Sequence, residues 1–205
     1  MSALHFELLV EEPSMEAFLN SLLPRLLPQD RSFRVYPFQG KKDLLGKLQN
    51  RLRGYAAWLP ENYRVVVVVD RDEDDCHQLK DRLDSISASA GLRSRTATGD
   101  DRWQVVNRIA IEELEAWYFG DWEAVREVYS RVPANIPNRQ GFRDPDAITG
   151  GTWEAFERIL QRHRYFETGL RKVEAARALG QVVDPVRSTS RSFSLFCATL
   201  IGATP

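Results

Sequence analysis

Apolar positions along the chain follow two rhythms, and the switches between them predict the elements. Short aliphatic runs at 5–10, 33–38, 64–69 and 103–111 read as strands. Between them, apolar residues recur every three or four positions. Phe18, Leu19, Leu22, Leu23 and Leu26 mark a helix over 15–27, with Ser14 as its expected N-cap and Pro24 expected to kink or shorten it. Leu44, Leu45, Leu48, Leu52 and Tyr55 mark a second helix over 43–59. A third spans 76–90, with Gly91 placed to end it. Strand alternating with helix is the pattern of a parallel α/β sheet. Val65 to Val69 is apolar on both alternating faces, so it belongs in the middle of that sheet.

Strand signals stop near residue 123. Helices are expected at 123–131, 152–164 and 171–179, with a last one starting after Ser190 or Ser192; a Pro- and Gly-containing loop covers 133–151. This divides the chain into an α/β core over 1–122 and a helical C-terminal extension over 123–205 packed on it.

Three of the strands run into acid: Val10 into Glu11, Val69 into Asp70, and Ile111 into Glu112–Glu113. In open parallel sheets, functional groups gather beyond the carboxyl ends of the strands. Carboxylates crowded there repel one another unless a cation sits among them, and a hard oxygen donor set suits Mg2+ or Mn2+. On an extended backbone Asp70 and Asp72 point the same way and can share one ion. Glu73, Asp74 and Asp75 are read instead as solvated or helix-capping acids. Lys41, at the end of the second strand, stands where it can meet a phosphate or lie in solvent.

The residues with this chemistry also carry a resemblance. A glutamate after the first strand and Asp-x-Asp after a later apolar strand resemble the Toprim domain of topoisomerases, primases and nucleases of the overcoming-lysogenization-defect type. The stretches 9–16 (LVEEPSME), 66–72 (VVVVDRD) and 108–117 (RIAIEELEAW), with Asp121 behind the last, are similar to a bacterial family, domain of unknown function 4276. The resemblance extends to Lys172 and to 190–193 (SRSF). It implies Glu11 as general acid/base or metal ligand, Asp70 and Asp72 as Mg2+ ligands, Glu16 as a further acid, and Glu113 and Glu115 as a later acidic pair completing a second metal site. Lys41, Lys172 and Arg191 are the phosphate-binding candidates. It further implies metal-dependent phosphodiester hydrolysis beside an AAA- or ABC-type ATPase, as in phage defence or DNA processing. DNA is favoured over RNA as substrate, and a homo-oligomer is compatible with this reading. One departure stands out: the family has glycine after its first glutamate, and this chain has Glu12, which places negative charge where a phosphate would come. The alternative is therefore a non-catalytic module of the same fold that binds a partner or a phosphate.

Charge and composition narrow the options. The net charge of −1 excludes a wholly basic nucleic-acid binder, but 12 Lys and Arg stand against 9 Asp and Glu from Glu123 onward. Cys76 and Cys197 lie too far apart for a metal motif. The five tryptophans are scattered, and Trp117 reads as core rather than as a platform for a base. His5, His77 and His163 lack ligand spacing, and neither a P-loop nor a Gly-x-Ser-x-Gly elbow is present. Early acids and the absence of a long apolar run lead us to expect a cytoplasmic protein with no membrane segment.

Overall fold

A computed structural model describes residues 3–99 and 102–204. Four strands, β1 (His5–Val10), β2 (Ser32–Pro37), β3 (Tyr63–Asp70) and β4 (Val105–Ala110), form one sheet in the order β2-β1-β3-β4. Every pairing is parallel. The helices in chain order are α1 (Pro13–Leu26), α2 (Lys41–Ala56), α3 (Cys76–Ser89), the single turn α4 (Arg95–Thr98), α5 (Leu114–Gly120), α6 (Trp122–Val128), α7 (Thr152–Arg162), α8 (Lys172–Gly180) and α9 (Arg191–Ile201). The loop before α7 contains two 3-10 turns, Ile136–Asn138 and Pro145–Ala147.

The valine run of β3 explains the layering. Side chains alternate across a strand, so Val66 and Val68 join one apolar cluster while Val65, Val67 and Val69 join another. The second cluster packs under α2 and α3 through Leu44, Leu48, Leu52, Leu79 and Leu83. The first gathers α1, α5 and the C-terminal helices around Phe18, Trp117, Phe156, Phe193 and Phe196. The helical C-terminal region thus buries the face that β1, β3 and β4 leave open.

Its docking is close. A Cβ on Gly180 of α8 would lie 2.4 Å from the Phe18 carbonyl oxygen of α1, so only glycine lets the two backbones approach this far. Arg25 donates to the carbonyls of Gly180 and Val183, and Arg31 to those of Leu200, Ile201 and Ala203. These arginines satisfy carbonyls that the ends of α8 and α9 leave open.

Several boundaries differ from the sequence expectation for identifiable reasons. Ser14 is not the N-cap of α1. Glu12 holds that place with Pro13 pre-set at the first helical position, and the buried Ser14 hydroxyl donates to Glu12 Oε1 at 2.6 Å. Lys41 and Lys42 do not end a strand; Gly40, at φ +90°, turns the chain and α2 starts at once. Trp103 lies ahead of β4 and is fully buried. Ser190 does cap α9, accepting from the Phe193 N–H at 3.2 Å, and Gly91 at φ +85° ends α3. No helix among the described residues is long and apolar enough to cross a membrane.

Candidate metal and phosphodiester site

The strand order brings the first two acids together. β1 and β3 are neighbours, with Val10 opposite Val68, so Glu11 and Asp70 emerge side by side. Glu11 Oε2 accepts the Asp70 backbone N–H at 3.3 Å. β4 lies on the other side of β3 with Ala110 opposite Asp70, which places Glu112 and Glu113 on the same rim.

Parity then divides the acids. Asp70 continues the row of Val66 and Val68, toward α1 and α5, and is 7% exposed. Burial, and then the carboxylates of Glu11 and Glu115, push its pKa well above the usual range. Glu115, in the first turn of α5, is 3% exposed. Burial raises it to about 7, with Lys172 pulling down and Glu113 pushing up. Glu11 is likewise raised to about 7, by burial first and by Asp72 second, against Lys41.

Asp72 does not follow the extended alternation that pairs it with Asp70. Its φ of +50° swings the chain away, so its carboxylate meets Lys41 Nζ at 2.7 Å. Lys41 also donates to Asp74 Oδ2 at 2.9 Å and to the Arg71 carbonyl at 3.0 Å, tying α2 to the acidic loop. Burial works to lower the Lys41 pKa, but its hydrogen bonds to Asp72 and Asp74 outweigh that and raise it. The rim therefore holds two half-clusters: Glu11, Asp72 and Lys41 on one side, and Asp70, Glu115 and Lys172 on the other. The Glu11–Asp70 contact joins them.

Lys172, at the start of α8, lies 4.9 Å from the centre of the Trp153 ring and 3.9 Å from Glu12 Oε1. Burial opposes its charge, while Glu115, Glu12, Glu113 and Asp70 favour it, and its pKa is raised. Glu12 is thus matched by a lysine brought from the C-terminal region. Glu16 sits half-buried in the first turn of α1.

Glu113 has a different task from the one its motif implies. Its Oε2 accepts from the Thr152 N–H at 3.0 Å, the Thr152 hydroxyl at 2.8 Å and the Trp153 N–H at 2.9 Å, so it caps α7 from outside. Arg191 lies away from the rim, exposed at the start of α9. The Asp75 carboxylate caps α3, as a helix-capping acid should.

Sequence reasoning missed two residues here, Tyr118 and Arg71. Tyr118 stands one turn beyond Glu115 on α5, 1% exposed, and its hydroxyl has no hydrogen-bond partner among the described residues. Burial first, then Glu115, Tyr129 and Asp70, hold its pKa well above normal. The i, i+3 spacing from Glu115 was its available signal. Arg71 forms an ion pair with Glu112, which has φ +62°, and the Glu112 carbonyl accepts the Asp72 N–H at 2.9 Å. Two non-glycine residues in left-handed backbone thus face each other across this contact, an arrangement that costs of order 1–3 kcal/mol each and concentrates at functional sites. No pattern of residue types foretold it.

A cleft of about 550 Å³ opens between Asp72, Glu112, Glu113 and the Gly150–Gly151 turn. Glu11, Asp70 and Glu115 lie outside its lining. Among the described residues, no three carboxylate, imidazole or thiol groups are gathered tightly enough to hold an ion. The donor set nevertheless fits a hard divalent cation: all oxygen, mutually repelling, and buried at Asp70 and Glu115.

The model of the family described as Domain of unknown function (DUF4276) matches residues 10–201. The chain belongs to this family. Neither the curated proteins nor the solved structures searched give a match. The matched span of this DUF4276 chain includes every residue of both half-clusters, together with the α8 lysine that serves one of them.

Proposed function

We propose that this DUF4276 protein is a Toprim-like, Mg2+- or Mn2+-dependent phosphodiesterase acting on nucleic acid, with DNA the favoured substrate. The observation that carries the reading is the Glu11–Asp70 contact between adjacent parallel strands, backed by buried Glu115. Burial and mutual repulsion leave these carboxyls protonated more readily than normal, and a divalent ion relieves that repulsion better than protons do. Glu11, Asp70 and Asp72 would hold the ion, with Glu115 and the open Oε1 of Glu113 available to a second. An ion so held polarises a phosphate and lowers the pKa of a water.

The chain's own groups supply the remainder. Asp72, paired with Lys41 here, would be one of the residues holding the ion, and the Lys41 ammonium would then be available to a phosphate oxygen. Lys172 offsets Glu12, so the residue standing in place of the family's glycine is neutralised rather than left facing a phosphate. Glu11, with a pKa near 7, is suited to move a proton at working pH. The association with an AAA- or ABC-type ATPase, a role in phage defence or DNA processing, and a cytoplasmic location rest on the family resemblance and the sequence character.

A second reading is favoured by the two lysines. Lys41 and Lys172 already offset part of the negative charge of one half-cluster each, as expected of a non-catalytic module that binds a phosphate or a partner. Thermal denaturation across a titration of Mg2+ and of Mn2+ separates the two. The phosphodiesterase reading expects stabilisation that grows with ion concentration, about 2.7 kcal/mol at a hundred times Kd. It also expects loss of that gain in Asp70→Asn, and ion-dependent cleavage of labelled DNA. No stabilisation by either ion, together with no cleavage of DNA or RNA, overturns it.

A further inference from the structure

A second cavity, of about 510 Å³, lies at the outer edge of the sheet, where β4 is the last strand among the described residues and Ser94 bridges only its start. It runs between the start of α3 and the start of α9, and Ile111, the residue before the acidic rim, forms part of its wall. Lys80, Arg108 and Arg191 line it together with the apolar side chains of Ile109 and Leu195.

Its cations and acids are unevenly matched. Asp84, beside the cavity, is taken by Lys80 at 2.5 Å and by the Asn107 amide at 2.7 Å. Asp146 accepts from the Ser190 and Ser192 hydroxyls and from the Ser192 N–H, and Asp144 accepts from the Asp146 N–H. Arg108, by contrast, has only neutral partners among the described residues: the Thr199 hydroxyl at 2.7 Å and the Asn107 carbonyl at 3.5 Å. Burial, and then the nearby Arg95 guanidinium, push its pKa down to about 10, with Asp84 pulling the other way. Arg191 is exposed and makes no ion pair among the described residues. Leu195, 55% exposed, leaves an uncovered apolar surface one helical turn beyond Arg191.

We propose that this edge cavity binds single-stranded nucleic acid, with one backbone phosphate held by Arg108 and Arg191 and the attached nucleoside laid against Ile109, Ile111 and Leu195. Guanidinium groups suit phosphate because two N–H donors meet two oxygens. The volume suits a nucleotide. A base can enter such a cavity only if it is unstacked, which favours a single strand over a duplex. Arg95, near enough to act on the charge of Arg108, adds positive charge ahead of β4. At its other end the cavity meets the acidic rim through Ile111. The strand's use as a substrate rests on the phosphodiesterase reading of that rim, while its binding does not.

The test is fluorescence anisotropy of a labelled single-stranded DNA of about 20 nucleotides in EDTA, at several salt concentrations. The wild-type protein binds it. Arg191→Glu, on an exposed position, weakens binding roughly tenfold or more and lowers the salt slope by about 0.7, as expected for loss of one phosphate contact. Arg108→Gln does the same, with circular dichroism confirming that its Thr199 contact is not needed for folding. Because binding is read in EDTA, with no divalent ion for the rim to use, failure of this proposal is distinguishable from failure of the phosphodiesterase reading, which the ion titration tests. The proposal is overturned if wild type does not bind, if both arginine variants keep wild-type affinity, or if duplex DNA or a mononucleotide competes as well as the single strand.

Discussion

Glu11 and Asp70 meet through a hydrogen bond from the Asp70 backbone N–H to the Glu11 carboxylate, at 3.3 Å. It joins two half-clusters that otherwise face opposite sides of the sheet, each with its own lysine. Each lysine offsets part of the negative charge of its half-cluster, and any ion must compete with it.

That competition is testable at Lys41. Removing its charge in Lys41→Gln frees Asp72 and takes a positive neighbour from Glu11. With Asp72 partly exposed, solvent screening leaves an ion pair of this kind worth about 1 kcal/mol. We expect Mn2+ to bind about fivefold to tenfold more tightly in Lys41→Gln, measured by calorimetry. Equal or weaker binding would show that Lys41 does not occupy the ion's place.

Glu115 gives a pH signature. Its folded pKa, near 7, lies above its ordinary 4.5, so the folded state takes up a proton more readily than the unfolded chain. Stability from this group is fully present below about pH 4.5 and is lost as pH rises through 7. Glu115→Gln should therefore stabilise the ion-free protein at pH 8, by on the order of 2 kcal/mol, and change little at pH 4.5. Urea denaturation at the two pH values measures it. Ion binding should show the reverse trend, strengthening from pH 6 to 8 as protons leave the carboxyls.

Much of this was legible in the residues. The valine run announced a central strand, and acid after three strands announced the rim, because a strand's exit from the core is written in its apolar sequence. The fate of each acid was less legible. Extended alternation paired Asp72 with Asp70, but a left-handed backbone at Asp72 gave it to Lys41 instead. Glu113 looked like a ligand because its motif is acidic, yet the N–H groups it caps belong to a helix 39 residues away in sequence. Lys172 reaches the site through the tertiary packing of α8, which residue periodicity does not encode, whereas Tyr118 follows Glu115 at i+3 on α5. Arg191, a phosphate-binding candidate by resemblance, lies in the edge cavity, a placement that no motif spacing gives.

Glu113 should reveal its capping role in stability. Glu113→Ala leaves two backbone N–H groups and a hydroxyl at the start of α7 without their shared acceptor. Loss of a helix cap costs about 1–2 kcal/mol, and partial burial places this case at the upper end. Chemical denaturation with and without Mg2+ reads both roles. A loss of about 2 kcal/mol in EDTA with an unchanged Mg2+ response would assign Glu113 to capping alone, whereas a lost Mg2+ response would return it to the ion.

Gly180 sets two physical effects against each other. Replacing a helical glycine by alanine ordinarily stabilises by up to about 1 kcal/mol. Here the new methyl would lie 2.4 Å from the Phe18 carbonyl oxygen and 2.8 Å from Ser21 Cβ. The carbonyl is backbone inside α1, so neither helix can yield locally, and α8 must move off the core. Overpacking of that kind costs about 1–3 kcal/mol, so the clash outweighs the propensity gain. We expect Gly180→Ala to lower stability by about 1–2 kcal/mol in urea denaturation. Because Lys172 rides on α8, the same displacement should draw its ammonium away from Glu12 and Glu115 and raise the pKa of Glu115 further. A variant as stable as wild type, with an unshifted Glu115 titration, would show that α1 and α8 are not held at this distance in solution.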